Sequence, residues 1–296
     1  MKHLTALFAT LVLLCSLSQM SHAQATTVKL DVVVTEKDGK LITDVKQDEL
    51  QIEDDGKKVE VKSFTPVAAA ANAPAPGEGR VAVIVLDDTA PASATEGLQG
   101  LAATILKATP PGAKVSIVAL HDTEDAANFD PKTVIARLTG FQGGTRPYDT
   151  QQTPNDFLER VAKIADGLGE PAGHRKAIIC VGQPAVCALG ARTKNDEGKN
   201  WKFWTTAMNA LGRSNASVYA LLPVQLSAVD VSVVDYSGGT PFTNGNFQTA
   251  AERIWGELGN YYIVEYTPAS PNAKDVRNIT VKTTRKNAVV HVRKQR

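Results

Sequence analysis

An apolar run ends in two acids and a hydroxyl in the stretch "VAVIVLDDTAPASA", residues 81–94. Six apolar or small residues precede Asp87 and Asp88, and Thr89 follows them. A short, fully apolar run is typical of a strand buried in a parallel sheet. Because ligands of open α/β sheets bind beyond the carboxyl ends of the strands, these side chains are candidates for a metal or phosphate site.

Two later loops carry oxygen-bearing side chains toward the same predicted edge. Thr145 lies in "LTGFQGGTRPYD", and Asp149 follows it four residues later. Gln183 follows the apolar run "KAIICV". A hard divalent cation such as Mg²⁺ prefers oxygen ligands, which these loops could supply. The alternative role for the first loop is capping of backbone N–H groups before the helix that follows.

His121 and Asp122 follow another apolar run, "AKVSIVAL", and form a candidate acid–base pair. A solvated pair is the competing interpretation, because no nucleophile is visible beside them. The sequence also lacks the H-E-x-x-H and G-x-S-x-G motifs and a Walker lysine. A metal-assisted hydrolase that uses Asp87, His121 and Asp122 is therefore the alternative function.

Apolar runs alternate with amphipathic helical patterns from residue 80 to residue 267. One such helix places Trp201, Trp204 and Met208 on a single face, which indicates core packing. Non-alternating strands between helices are typical of a parallel sheet that is covered on both faces. The sequence therefore predicts a doubly wound α/β domain with a mostly parallel sheet over residues 80–267.

The flanking regions have the period-2 pattern of half-buried strands. Residues 24–66 alternate around "KDGK" and "DDGK", and Asp-Gly between alternating runs is a strong hairpin signal. Residues 67–79 are rich in Ala and Pro and form a predicted linker. Alternation returns in residues 268–296. We expect these strands to pair with the N-terminal unit in a small β-sandwich, into which the α/β domain is inserted.

Residues 1–23 have the features of a secretory signal peptide. A short basic start precedes the apolar run "LTALFATLVLLCSL", and "SHA" provides small residues for cleavage near Ala23. We expect a secreted or periplasmic protein. No later apolar stretch reaches the length of a membrane span, so none is expected in the mature chain.

Charge and cysteine content narrow the function classes. The whole chain has 32 Lys plus Arg against 31 Asp plus Glu, and removing the leader removes Lys2. A neutral chain lacks the basic field that nucleic-acid binding requires. Export permits a disulfide between the two remaining cysteines, Cys180 and Cys187. Two buried free thiols are the alternative.

The order and spacing of several segments resemble the secreted bacterial, Acidobacteria-type family of von Willebrand factor type A (vWA)-related domain proteins. The segments are "LDVVVTEKDGKLITDVKQDELQIEDDGKKVEVKSF", "LTGFQGGTRPYDT", "HRKAIICVG", "ASVYALLP", "YSGGTPF" and "LGNYYIVEYTP". The resemblance covers nearly the whole mature chain. It implies a Rossmann-like vWA fold and a non-enzymatic module that binds another protein, of unknown identity, at the carboxyl edge of its sheet.

The resemblance also implies a metal-ion-dependent adhesion site, which holds Mg²⁺ in this family. Asp87 matches its first carboxylate, Thr89 its first hydroxyl and Thr145 its threonine. Pro91 stands at the second hydroxyl position, and Gln183 stands near the second carboxylate position. Because these two replacements remove expected ligands, we expect a degenerate site that binds metal weakly or not at all. Asp88, Asp149 and Gln183 are the further candidate binding residues.

Overall fold

The computed structural model describes residues 27–68, 79–169, 174–187, 199–223, 233–243, 245–269 and 278–294. The predicted signal peptide, residues 1–23, and residues 69–78 of the predicted linker lie outside these ranges. Within them, no helix combines the length and the apolar character needed to cross a membrane.

Strands and helices alternate through the middle of the described chain. The strands are β1 (Val28–Glu36), β2 (Leu50–Asp54), β3 (Lys57–Val59), β4 (Val61–Val67), β5 (Val81–Leu86), β6 (Lys114–Ala119), β7 (Lys176–Val181), β8 (Ala216–Leu222), β9 (Pro241–Thr243), β10 (Tyr261–Tyr266), β11 (Ile279–Thr283) and β12 (Ala288–His291). The helices are α1 (Thr95–Lys107), α2 (Pro131–Gly140), α3 (Gln152–Gly167), α4 (Pro184–Cys187), α5 (Lys199–Ser214), α6 (Val233–Tyr236) and α7 (Phe247–Gly259). Short 3₁₀ turns lie at Gln47–Glu49 and Ala92–Ala94.

Five parallel strands form the central sheet in the order β6-β5-β7-β8-β9. Side chains of α1, α2 and α7 pack on one face of this sheet, and side chains of α3 to α6 pack on the other. On α5, Trp204 and Met208 lie in the buried core, which confirms the predicted packing stripe. Because helices cover both faces, the strands are apolar throughout, and the predicted doubly wound α/β fold is confirmed.

Two antiparallel sheets form the predicted β-sandwich from both ends of the chain. Their orders are β12-β1-β10-β4 and β11-β2-β3. N-terminal β1 pairs with C-terminal β12, and β2 pairs with β11. Alternate side chains of both sheets meet in one core, which includes Leu30, Val32, Ile52, Val264 and Val281. Neither end of the chain could bury this apolar surface alone.

The β2–β3 connection confirms the hairpin predicted at "DDGK". Asp55 and Gly56 both have positive φ angles, 49° and 76°. Two successive positive φ values define a type I′ turn, whose twist matches that of the flanking strands.

β10 departs from the arrangement that its sequence position suggested. It lies inside the predicted α/β range of residues 80–267, but it pairs antiparallel with β1 and β4. Its burial alternates at the end of the strand, where Ile263 and Glu265 are half-buried between buried neighbours. A strand with one partly solvated face fits the sandwich rather than the fully covered parallel sheet. The chain therefore returns to the sandwich directly after α7.

Candidate functional site

The candidate site lies where the winding of the parallel sheet reverses. β5 comes first in the sheet, β6 pairs with one of its edges, and β7 pairs with the other. The carboxyl ends of such strands border the crevice in which α/β proteins usually bind ligands. Asp87, Asp88 and Thr89 follow β5, His121 follows β6, and Gln183 follows β7. The loop of residues 142–150 packs against the loop after β5 through Gly143. We call the surface formed by these four loops the top face.

The Asp87 carboxylate accepts four hydrogen bonds from the protein itself. Oδ1 accepts from the Thr89 backbone N–H at 3.0 Å and from the Thr89 hydroxyl at 2.6 Å. Oδ2 accepts from the Gln183 backbone N–H at 3.0 Å and from Gln183 Nε2 at 3.3 Å. The side chain is 0% exposed. Since a carboxylate offers about four acceptor positions, this one has no free position for a cation.

Close backbone packing fixes the loop that carries Asp87. Gly182 lies against it so tightly that an added Cβ would stand 2.2 Å from Asp87 Cβ. On the other side, a Cβ on Gly143 would stand 2.8 Å from Ala90 O and 2.9 Å from Pro91 O. Glycine therefore lets residue 182 lie directly against the Asp87 side chain, and it lets residue 143 lie directly against the backbone of Ala90 and Pro91.

The other predicted ligands do not complete a cation shell. Thr145 lies two residues after Gly143 and is exposed to solvent. It borders a groove that Asp88 also lines. Pro91 has no side-chain oxygen, and Gln183 turns its amide N–H group toward Asp87. In the described ranges, no group of three or more His, Cys, Asp or Glu side chains is arranged to hold a metal ion. The residues present therefore do not fit the Mg²⁺ site that the sequence resemblance implies.

Asp88 points away from Asp87 and pairs with His121, as the alternation of side chains at a strand end predicts. Its Oδ1 lies 2.7 Å from His121 Nδ1. The other ring nitrogen, Nε2, lies 3.2 Å from Asp156 Oδ2 on α3. Asp156 Oδ1 also accepts from Gln152 Nε2 at 2.6 Å. This chain of contacts ties the loop after β5 to the first turns of α3.

The candidate acid–base pair of His121 and Asp122 is not joined. His121 contacts Asp88 and Asp156 instead, and Asp122 Oδ1 accepts the backbone N–H of Glu124 at 2.9 Å. A carboxylate that bonds to the N–H two residues ahead stabilises a turn, which is a common structural role of Asp. Both residues follow β6, as the sequence predicted, and the histidine contacts Asp88 and Asp156.

Asp149 accepts hydrogen bonds from backbone N–H groups at the start of α3. Its Oδ1 accepts the backbone N–H groups of Gln151 and Gln152 at 2.8 and 2.7 Å. These hydrogen bonds hold the pKa of Asp149 below its usual value. The Asp149 N–H in turn donates to Thr153 Oγ1 at 2.9 Å. Asp149 therefore anchors the start of α3. The sequence had predicted it as a candidate oxygen ligand of a cation.

The loop of residues 142–150 is exposed along most of its length. It is held at one end by Gly143, whose N–H donates to Thr95 Oγ1 at 3.0 Å, and at the other end by Asp149. Between these anchors, the loop presents Arg146, Pro147 and Tyr148, and Tyr148 is 38% exposed. The loop thus displays a polar and aromatic tip on the top face between two anchored ends.

Cys180 and Cys187 form a disulfide in the core beneath the top face, with Cα atoms 5.5 Å apart. This separation lies within the usual range for disulfides. Cys180 is on β7, and Cys187 ends α4. The N–H groups of Val186 and Cys187 donate to Gln183 O. The disulfide therefore closes the loop that delivers Gln183 to Asp87.

Two functional candidates on α3 escaped the sequence analysis. Asp156 contacts His121, and Arg160 is only 8% exposed although its side chain is charged. They are four residues apart, so they share one face of the helix. The sequence signal that could have identified them is the spacing of four positions between an acidic and a basic residue on an amphipathic helix.

These features define a class of protein: a doubly wound α/β domain carried on a β-sandwich, with a polar top face. No protein-family model matches the sequence, and no curated protein matches it. The chain is similar to a solved structure described as von Willebrand factor type A from Catenulispora acidiphila. That likeness has a TM-score of 0.41 at 10% identity and covers 92% of this chain and 74% of the other.

A second similar structure is a mutant of the PilB minor pilin from Streptococcus sanguinis. The TM-score is 0.37 at 12% identity, and the match covers 63% of this chain and 62% of the pilin chain. Identities this low leave the function to be argued from the site itself.

Proposed function

We propose that the chain is an exported, non-enzymatic binding module whose vWA-like domain engages a protein partner through its top face. The observation that carries the proposal is the anchored, exposed loop of residues 142–150. Arg and Tyr, which this loop presents as Arg146 and Tyr148, are enriched among the residues that dominate binding energy at interfaces. Because both ends of the loop are already anchored, its ordering on binding costs less conformational entropy than that of a free segment.

The proposal treats the metal site of the vWA-related resemblance as degenerate. Its support is the Asp87 carboxylate, which accepts hydrogen bonds from Thr89 and Gln183 at all of its acceptor positions. Metal binding at Asp87 would have to break some of these bonds in a buried position, where unpaired donors are costly. Partner binding is therefore proposed to be independent of Mg²⁺.

The metal-assisted hydrolase has less support. It requires Asp87, His121 and Asp122 to act together around a cation. Asp87 instead bonds to its own loop and to Gln183, and both ring nitrogens of His121 face carboxylates. A general base must have the proton that it removes within hydrogen-bond reach. The ring nitrogens of His121 contact Asp88 and Asp156 instead.

Site-specific photo-crosslinking tests the proposed interface. A benzophenone amino acid would replace Tyr148 in one variant and Ile135 in a control, because Ile135 is a 54% exposed apolar residue on α2. We expect a discrete protein adduct from position 148 only, and the same adduct after treatment with EDTA. Adducts that are absent, identical from both positions or dependent on Mg²⁺ would reject the proposal in this form.

Export is tested separately. N-terminal sequencing of the protein recovered from the cell envelope or the medium should give Gln24 as the first residue. Recovery of the chain from the cytoplasm with residues 1–23 still attached would reject this part of the proposal.

A further inference from the structure

Arg160 is a buried guanidinium whose N–H groups are only partly paired. It lies on α3 and is 8% exposed. Its Nη2 donates to Glu124 O at 3.3 Å, and its Nε is buried without a hydrogen-bond partner in the structure. Arginine stays protonated in proteins, so its buried N–H groups require acceptors. The nearby Arg137 shows the contrast, because its Nε donates to the Glu124 carboxylate at 2.9 Å.

The charges around Arg160 only partly compensate for its burial. Burial lowers the pKa of the guanidinium, Asp122 and Asp125 raise it, and Arg137 lowers it. Across the described residues, no carboxylate lies within 4.0 Å of the Arg160 guanidinium. The Coulomb attraction of Asp122 and Asp125 therefore acts without a direct ion pair.

Arg160 borders an open groove of about 520 Å³ between the loop after β6 and α3. We call it the Arg160 groove, and its polar lining includes His121, Asp122, Arg146, Asp156, Glu159 and Lys163. Asp156 already bonds to His121 and Gln152. Glu159 pairs with Lys163 at 2.8 Å. Asp122 also lines the groove, but its Oδ1 accepts the Glu124 N–H and it forms no ion pair with Arg160 within 4.0 Å among the described residues. A further acceptor for the Arg160 guanidinium would therefore come from outside the chain.

We propose that the Arg160 groove binds a carboxylate side chain of an acidic segment in the protein partner. The proposal rests on the proposed function, because Arg146 belongs both to this groove and to the loop of residues 142–150. A planar carboxylate matches the two-point N–H geometry of a guanidinium. A doubly charged phosphate would meet stronger repulsion from the carboxylates of Asp122, Asp156 and Glu159.

Peptide titration of the purified chain tests this chemistry directly. The probe is the acidic peptide Ac-Gly-Glu-Gly-Glu-Gly-NH₂, and its matched control carries Gln in place of both Glu residues. Side-chain ¹⁵N NMR of the arginine Nε–H groups reports on Arg160 itself. We expect the acidic peptide to shift the Arg160 signal and to bind at least tenfold more tightly than the amide control. Equal binding, or shifts that leave Arg160 unaffected, would overturn the proposal.

Two substitutions separate the Arg160 groove from general electrostatic attraction. Arg160→Met should remove the preference for Glu over Gln, whereas Arg213→Met should preserve it, because Arg213 is an exposed arginine that pairs with Asp166 near the other end of α3. If Arg160→Met does not fold, Arg160→Lys keeps the charge without the fork and should still weaken binding of the acidic peptide. An unchanged preference in Arg160→Lys, together with an unmoved Arg160 signal in the native chain, would reject the site.

Inorganic phosphate and the photo-crosslink give two further distinctions. Phosphate that shifts the Arg160 signal at lower concentration than the acidic peptide does would overturn the choice of a carboxylate. A Tyr148 adduct that forms normally in Arg160→Met would reject the carboxylate site while leaving the proposed function intact. Absence of any Tyr148 adduct in the native chain would instead reject the proposed function.

Discussion

Asp87 and Gln183 join the ends of two neighbouring strands through a pair of hydrogen bonds. Both bonds end on Asp87 Oδ2, one from the Gln183 backbone N–H at 3.0 Å and one from its Nε2 at 3.3 Å. A second carboxylate at position 183 would repel Asp87 unless a cation lay between them. Gln183 presents a neutral amide N–H donor to Asp87 instead of a second carboxylate. No cation is therefore needed between the two side chains. The pair therefore locks the loop after β5 to the loop after β7.

The first prediction concerns this lock. Asp87→Asn should lower the free energy of unfolding by about 2 kcal/mol, because the amide nitrogen of Asn cannot accept and would leave donors of Gln183 or of Thr89 unpaired. Urea unfolding measures the change. Asp38→Asn is the control, because Asp38 is exposed and Asn can still accept the Lys40 N–H, and it should change stability by less than about 0.5 kcal/mol. Equal effects of the two substitutions would contradict the lock.

A second prediction tests the close packing of the same loops. Gly182→Ala should destabilise the protein by about 1–3 kcal/mol, because its Cβ would stand 2.2 Å from Asp87 Cβ. Gly100→Ala is the matched control. Gly100 lies inside α1 with no atom within 4 Å of its added Cβ, so alanine should stabilise by about 0.5–1 kcal/mol. Thermal unfolding should thus shift in opposite directions, and a shared direction would refute this account.

A third prediction concerns pH and the junction between β12 and the α/β domain. Burial holds the pKa of His291 below its usual value. Its Nε2 faces Arg253 Nη2 at 3.2 Å, and because arginine can only donate, this nitrogen must accept and the ring must be neutral. The groups around the ring are the hydroxyls of Thr35 and Thr240 and the charges of Arg175, Asp235, Arg253 and Glu257.

The sign of the effect follows from proton binding. The unfolded chain takes up a proton near pH 6.5, and the folded chain does so only at lower pH. The contribution of neutral His291 to stability is therefore complete above pH 6.5 and is lost as the pH falls through the folded pKa. Urea midpoints from pH 8 to pH 5 should decline for the native chain and decline less for His291→Gln. His174→Gln is the control, because His174 is exposed, and it should follow the native curve.

A fourth prediction addresses the disulfide. Cys180 and Cys187 are seven positions apart, and closing a loop of this size should stabilise the protein by about 2–3 kcal/mol. Dithiothreitol should lower the urea midpoint of the native chain accordingly. It should have no effect on the Cys180→Ala/Cys187→Ala variant, which also carries the cost of two lost buried side chains. Free thiols in native protein that was purified under oxidising conditions would contradict the bond.

The sequence located most of the elements because their signals are local. Burial on both faces makes strands such as β5 and β7 apolar throughout, and the "DDGK" turn requires two positive φ angles that Asp and Gly adopt readily. The exception was β10, whose short apolar run is compatible with either sheet. Its assignment depended on strand pairing, which composition does not encode.

In the candidate site, too, local features could be predicted from the sequence and tertiary contacts could not. The sequence by itself determined that Asp87, Thr89 and Gln183 come at strand ends, and that Pro91 and Gln183 replace ligands expected from the resemblance. Only the tertiary structure decided that Gln183 saturates Asp87, that His121 pairs with Asp88 and Asp156, and that Arg160 is buried without an ion pair. Strand-end position follows from local periodicity, whereas the partner of a buried polar group depends on which loops the sheet order brings within about 3 Å of each other.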